Sequence, residues 1–299
     1  MKAIVIDRFG GPDELHEVQL PDPRPEPGQV RVRVEAIGVN PIDGKVRSGA
    51  MASPDATFPI VFGAEAAGVV DELGEGVTDV ARGDRVVGFA VGGAYAELAI
   101  LDTYAAVPDS LDLTAAVSLP VAGETARRVL RLLGLKPGET LLVHGASGAV
   151  GEVVTQLALA AGASVVGTAS AANQERVAAL GATPTTYGEG WLERVRALAP
   201  HGVDAVLDTS GAGVLDDSVK LLGNADRLVT IADPTAFAKG ITFSSGGERS
   251  ATDLAQLVRQ RASGEITTTV SRVLPLVQAA TAQELSDSGR AGGKLVLVP

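Results

Sequence analysis

The stretch Thr140 to Val154, TLLVHGASGAVGEVV, holds the residues whose spacing points most directly to chemistry. An apolar run ends at Gly145, Ala146, Ser147 and Gly148, and an apolar pattern of another period follows. From Ala146 to Gly151 the spacing is that of G-x-G-x-x-G, with alanine in the first place. A turn this bare suits a pyrophosphate. Gly148 lets phosphate approach the backbone, Gly151 lets the next helix lie close to the sheet, and the helix N-terminus offers free N–H groups and a positive dipole. The plain alternative is a simple strand–helix connection. A strand before the turn, an amphipathic helix after it and a second strand beyond favour dinucleotide binding.

The end of that second strand bears on which dinucleotide. Units that hold NAD place Asp or Glu about 20 residues on, against the ribose 2′-hydroxyl. Here the sequence reads VVGTASAANQER, with no acid before Glu175. Thr168, Ser170 and Asn173 are small hydrogen-bonding residues, and Arg176 is a nearby cation. A missing carboxylate removes repulsion against a 2′-phosphate, so NADPH is expected over NADH. Arg176 either meets that phosphate or is a solvated helix residue, and the sequence leaves both open.

The elements that must position these residues fall into two rhythms. Residues 1–112 read as β-rich: KAIVID, QVRVRVEAIGV, AGVVDELG, GDRVVGFA and YAELAIL are separated by Gly, Pro and Asp turns. Over 113–264 short apolar runs (TLLVHG, ASVVGT, VDAVLD, RLVTIA) alternate with helical patterns, as in parallel βαβ units. In the first of those helices Val150, Val153, Val154 and Leu157 are expected on one face. Residues 265–299 read strand, helix, strand, a tail that returns to the first domain. The expected fold class is α/β, a β-rich domain joined to a doubly wound parallel sheet.

Composition limits the partners. The 299 residues are 45% hydrophobic and 20% charged, with net charge −11 and no cysteine. Without a Lys/Arg cluster, nucleic acid is not expected as a partner. Without cysteine there is no disulfide and no thiolate metal site, which agrees with a cytoplasmic protein. The uncharged run Val153–Gln174 is broken by Gly162, Ser164, Gly167, Thr168 and Ser170, so it reads as a buried helix and strand, with no membrane expected.

Further residues carry a family resemblance from end to end: GVNPIDGKVRSG (38–49), FPIVFGAEAAGVV (58–70), GDRVVGF (83–89), YAELA (95–99), LPVAGETA (119–126), LLVHGASGAVG (141–151), GVDAVLDTSG (202–211) and GRAGGKLVLV (289–298). The chain resembles the zinc-free quinone oxidoreductases of the medium-chain dehydrogenase/reductase superfamily. That resemblance implies a GroES-like catalytic domain, a Rossmann domain inserted in it, and a homodimer. It implies Asn40 and Asp43 beside the nicotinamide and substrate, and Thr125 near the nicotinamide end. It implies Ser147, Gly148, Ala149 and Val150 over the pyrophosphate, following Gly145 and ahead of Gly151. Ser170, Asn173 and Tyr187 match positions near the adenosine 2′-phosphate, where many members have Lys at Asn173 or its neighbour Gln174. Zinc-dependent relatives have Gly-His-Glu where this chain has Gly63-Ala64-Glu65, and a Cys ligand near Asn40. Alanine cannot ligate, which argues against a catalytic zinc.

The activity implied is NADPH-dependent reduction of quinones or related α,β-unsaturated carbonyls. An enone reductase, and an NADPH-binding sensor with little turnover, stay as alternatives. Many members have Tyr two residues after the Asp, where this chain has Lys45. Asn40 and Lys45 are therefore candidates to stabilise a developing oxyanion, and Lys45 to donate a proton if burial lowers its pKa. Plainer readings stand beside these. Asn40 is also a turn residue, Asp43 a helix cap, Arg47 a partner for a carboxylate, Tyr95 and Glu65 structural, and His144 a satisfied core histidine.

Overall fold

Runs rich in Val, Ile and Ala between glycine turns become strands, and four-residue repeats of small apolar side chains become the helices that cover them. The structure, a computed structural model, describes residues 1–299. Its first half contains β1 (Lys2–Ile6), β2 (His16–Gln19), β3 (Val30–Val39), α1 (Pro41–Arg47), β4 (Ile60–Val61), β5 (Glu65–Leu73), β6 (Arg85–Val91), β7 (Leu98–Ala106), α2 (Leu113–Ala116) and α3 (Pro120–Leu133). Then come β8 (Thr140–His144), α4 (Ala149–Ala160), β9 (Ser164–Ala169), α5 (Gln174–Ala179), β10 (Thr183–Thr186), α6 (Trp191–Leu198), β11 (Ala205–Asp208), α7 (Leu215–Leu222), β12 (Leu228–Thr230), α8 (Ala236–Lys239) and β13 (Thr242–Phe243). The chain ends with α9 (Ala251–Ser263), β14 (Val270–Pro275), α10 (Ala279–Asp287) and β15 (Lys294–Val298).

Two compact units result, one from residues 1–121 and 249–299, the other from 122–248. The sequence rhythm changes at 112/113 and 264/265, where helices begin and end. The units divide elsewhere because α2 packs on β3 and β5, and α9 packs on β7, all in the first unit.

In the first unit the sheet order is β14-β15-β3-β5-β6-β7, and β3 also pairs with β7, which rolls the sheet toward a barrel. The returning tail supplies β15, antiparallel to β3 with Leu295 opposite Val39. Val32, Ile37, Val86, Leu101 and Leu297 fill the interior.

In the second unit every strand pair is parallel and the order is β10-β9-β8-β11-β12-β13. Numbered within the unit this is 3-2-1-4-5-6, the dinucleotide-binding order, in which ligands meet the carboxyl ends of strands where the order reverses. The reversal lies between β8 and β11, and β8 leads directly into the glycine turn. Helix α4 differs from its expected single apolar face. Val153 and Val154 are buried, but so are Glu152 and Thr155, while Val150 and Leu157 are only half-buried. No helix is long and apolar enough to cross a membrane.

Candidate active site

The glycine turn forms as its spacing predicts. Gly145 takes φ +80°, a conformation favouring glycine, and a Cβ there would lie 2.5 Å from the Thr209 hydroxyl. At Gly151 a Cβ would run into the Gly145 carbonyl and lie 2.8 Å from Ala146 Cα, so glycine is what lets α4 approach β8. Gly148 is different. Its φ of −83° suits any residue, and a Cβ would meet only the Gly145 carbonyl, at 3.3 Å. A side chain at 148 would ask only a slight give of the Gly145 carbonyl, so the fold's need for glycine is weaker there than at 145 and 151. Gly148 caps α4 with no side-chain hydrogen bond to its first turn, which leaves N–H groups for an anion.

The end of β9 meets this turn. The N–H groups of Gly145 and Ala146 donate to the Thr168 carbonyl at 3.2 and 3.0 Å. Asn173 Nδ2 donates to Ser147 Oγ at 3.3 Å, and the Arg176 guanidinium donates to the Ser147 carbonyl. Arg176 Nε also stands 3.2 Å from Oε1 of buried Glu152. Arg176 is thus no solvated helix residue. It neutralises an acid in the first turn of α4 and reaches the same turn as Ser147. Gln174 is a structural neighbour, since its Nε2 donates to the carbonyls of Ala169, Ser170 and Thr185. Ser170 is half-buried beyond β9, and Tyr187 is exposed just after β10. Ala149 and Val150 open α4, half-buried. Thr125 is buried on α3, where its hydroxyl accepts from Arg128 at 3.3 Å. His144 is a core histidine: burial pushes its pKa down to about 4, and its ring lies edge-on to Trp191 at 4.6 Å.

In the first unit Asn40 and Asp43 join a buried polar network. Pro41 opens α1, and the Asn40 N–H donates to Asp43 Oδ2 at 2.9 Å. The Tyr95 hydroxyl donates to the same oxygen at 3.1 Å. The Asn40 side chain turns the other way. Its Nδ2 donates to Glu65 Oε1 at 2.8 Å, and its Oδ1 accepts from Lys294 Nζ at 2.7 Å. Lys294 is also ion-paired with Glu65, whose second oxygen accepts the Val121 N–H at 2.8 Å. Desolvation pushes the Asp43 carboxyl up to about 7, against the Asn40 and Tyr95 hydrogen bonds and the Lys294 charge, which pull it down. Burial likewise raises the Tyr95 phenol.

Lys45 lies half-buried on α1, two residues beyond Asp43. Arg47 has the structural role expected, donating to Asp287 at 2.7 Å and Gln283 at 2.9 Å. Sequence reasoning missed Lys294 and the hydrogen bond of Tyr95 to Asp43, while the structural part it gave Glu65 takes the form of this network. The available signal was a lysine opening the apolar strand KLVLV, which must find a buried acceptor.

Comparison with known proteins covers both units. Residues 26–110 match the alcohol dehydrogenase GroES-like domain, and residues 180–297 match the zinc-binding dehydrogenase model. The quinone oxidoreductase of Rattus norvegicus is 30% identical across 100% of this chain and 98% of its own length. The solved quinone oxidoreductase from Coxiella burnetii superposes with TM-score 0.89 at 32% identity, over 100% of this chain and 99% of that one. The Escherichia coli quinone oxidoreductase complexed with NADPH gives TM-score 0.88 at 27% identity, covering 100% of both chains. With a GroES-like domain, a parallel sheet in Rossmann order and relatives matched over their full length, the chain belongs to the quinone oxidoreductases of the medium-chain dehydrogenase/reductase superfamily.

Proposed function

We propose that this protein is an NADPH-dependent reductase of quinones or related α,β-unsaturated carbonyls that works without zinc. The observation that carries the reading is the donor set around Asn40. Position 64 is alanine, the chain has no cysteine, and Glu65 is engaged by Lys294 and the Val121 N–H. An amide already hydrogen-bonded at both ends and an ion-paired carboxylate do not fit a tetrahedral zinc site. Without a Lewis acid to polarise a carbonyl, an acceptor that is already electron-poor, such as a quinone or an enone, is favoured over a simple aldehyde or ketone.

The residues fit a dinucleotide. The bare Gly148 and the uncapped start of α4 receive the pyrophosphate. Ser170, Asn173, Arg176 and Tyr187 surround the 2′-phosphate, with no carboxylate at the end of β9 to repel it. The bound nicotinamide supplies a hydride. The chain's own part is to hold the acceptor, with the Asn40 amide as donor to its oxygen as negative charge develops there. Lys45, two residues after Asp43 on α1, is the candidate proton donor, directly or through water. The reading carries with it a homodimer, a small-molecule substrate and a cytoplasmic setting.

The test is NADPH oxidation by chelator-treated protein with a quinone acceptor, an enone in parallel, and NADH as control. Turnover with NADPH well above that with NADH is the expected result. Turnover that disappears with chelation and returns with zinc overturns the zinc-free reading. Tight NADPH binding with no acceptor reduced leaves a binding protein in place of an enzyme.

A further inference from the structure

We propose that Lys294 is the positioning residue of the active site, fixing the Asn40 amide so that its N–H and not its C=O faces the substrate. The inference rests on the reading of Asn40 as the donor to the acceptor's oxygen.

An asparagine amide can lie either way round, and only its neighbours decide which. Here they decide it without ambiguity. A lysine ammonium has donors only, and it meets Oδ1 at 2.7 Å. An ionised carboxylate has acceptors only, and Glu65 Oε1 lies 2.8 Å from Nδ2. Turning the amide over would set an N–H against the ammonium and a C=O against the carboxylate. Lys294 and Glu65 are themselves paired, so each holds the other in place.

That leaves one N–H of Asn40 to account for. Its protein neighbour is the Gly38 carbonyl at 3.5 Å, the outer limit of a hydrogen bond. A substrate oxygen competes easily with so long a contact. The amide is therefore held firmly at two corners and only weakly at the third, where a substrate oxygen would have to displace the Gly38 carbonyl.

The anchor is built into the sheet. Lys294 is the first residue of β15 and Glu65 the first of β5, and both side chains are essentially inaccessible to solvent. Gly38 on β3 makes the room, since a Cβ there would lie 2.7 Å from Glu65 Cδ. Buried this deeply, Lys294 does not reach a substrate itself. Its influence passes through Asn40.

The test is a double-mutant cycle on the full-length protein, with NADPH and a quinone as substrates. Lys294→Met keeps the shape of the stem and removes the charge and donors; Lys294→Arg keeps charge and donors and changes the shape. Lys294→Met is expected to lower kcat at least about tenfold, as loss of an orienting partner typically does, with KM for NADPH within about twofold of the starting value. Lys294→Arg is expected to retain more turnover than Lys294→Met. In an Asn40→Ala background, Lys294→Met is expected to cost less than about twofold, because the amide it orients is gone. Thermal unfolding of each variant checks that it folds. If Lys294→Met alone does not fold, the neutral pair Lys294→Met/Glu65→Gln replaces it in the same cycle, since it leaves no unpaired buried charge. Equal losses with and without the Asn40 amide, or full kcat in folded Lys294→Met, overturn the proposal while leaving the enzyme reading intact. A wild-type protein that reduces neither quinone nor enone overturns the enzyme reading, and this proposal with it.

Discussion

Asp43 is an acid that the fold holds at the edge of ionisation, with its carboxyl at about 7 against an ordinary 3.8. Desolvation is the chief cause, so the folded protein binds a proton that the unfolded chain has released. Stability from this group is therefore present below about 4 and is lost as pH rises through about 7. Asp43→Asn keeps an oxygen for the Asn40 N–H and the Tyr95 hydroxyl while removing the charge. Relative to the parent it is expected to gain about 2 kcal/mol more at pH 8 than at pH 5, by urea unfolding at the two pH values. Arg176 gives a second prediction. Arg176→Ala removes the cation nearest the proposed 2′-phosphate, so KM for NADPH should rise about tenfold and KM for NADH should barely change. A parallel rise in both would assign Arg176 to bracing Glu152 alone. Asn40 and Asp43 were legible because they sit three apart in one local motif. Lys294 was not, because the acid it pairs with lies 229 residues away and only the folded sheet brings them together.

At the scale of the element, the glycine turn separates what folding needs from what binding needs. Gly151→Ala drives a Cβ into the Gly145 carbonyl, and should cost about 1–3 kcal/mol of stability as α4 is pushed off β8. Gly148→Val meets far less in the fold, so its melting temperature should stay close to the parent's while NADPH affinity, followed by fluorescence titration, falls at least tenfold. If both variants merely melt earlier, glycine at 148 is structural after all. The alternation of strands and helices was readable because apolar runs and four-residue repeats carry it. Other elements were less so. Strand β10 is TPTT, with a proline and no apolar run, and β13 is two residues long; both are strands because the parallel sheet extends to include them. Helix α9 buries only Leu254, Leu257 and Val258, a stripe too narrow to stand out among polar neighbours. Helix α3 buries a stripe of Ala122, Ala126, Val129 and Leu133, which the sequence reading did not single out.

Across the whole molecule, each unit has its own core, and the units differ in what should stabilise them. On the proposed reading NADPH would sit against the strand ends and α4 of the parallel-sheet unit, so amides of β8, α4 and β9 should gain hydrogen-exchange protection on adding it. At 100 times Kd the linkage is about 2.7 kcal/mol for any opening that releases the ligand. The same unit carries an ion pair with a defined pH window. Arg227 holds the Glu139 carboxyl down to about 2, with bonds of 2.8 and 2.7 Å, and also donates to the Leu133 carbonyl at the end of α3. A depressed acid stabilises above its ordinary 4.5 and stops doing so as pH falls toward 2. Glu139→Gln should thus cost about 1 kcal/mol at pH 7, after allowance for partial exposure, and nothing near pH 2. The division into two units was legible as a change of rhythm. Its limits were not, because whether a helix joins one core or the other depends on which strand it covers.

The position of Lys294 also sets an order of events at the ribosome. Residues 122–248 are contiguous and can close their core as soon as they emerge. Glu65 is made early and waits for a lysine synthesised 229 residues later, in the last strand of the chain. A nascent chain halted before β15 would leave β3 without one neighbour and a carboxylate without its cation. The unit that holds Glu65 is therefore completed after the parallel-sheet unit, and protease challenge of chains stalled before β15 should find residues 122–248 resistant while residues 1–121 are still cut.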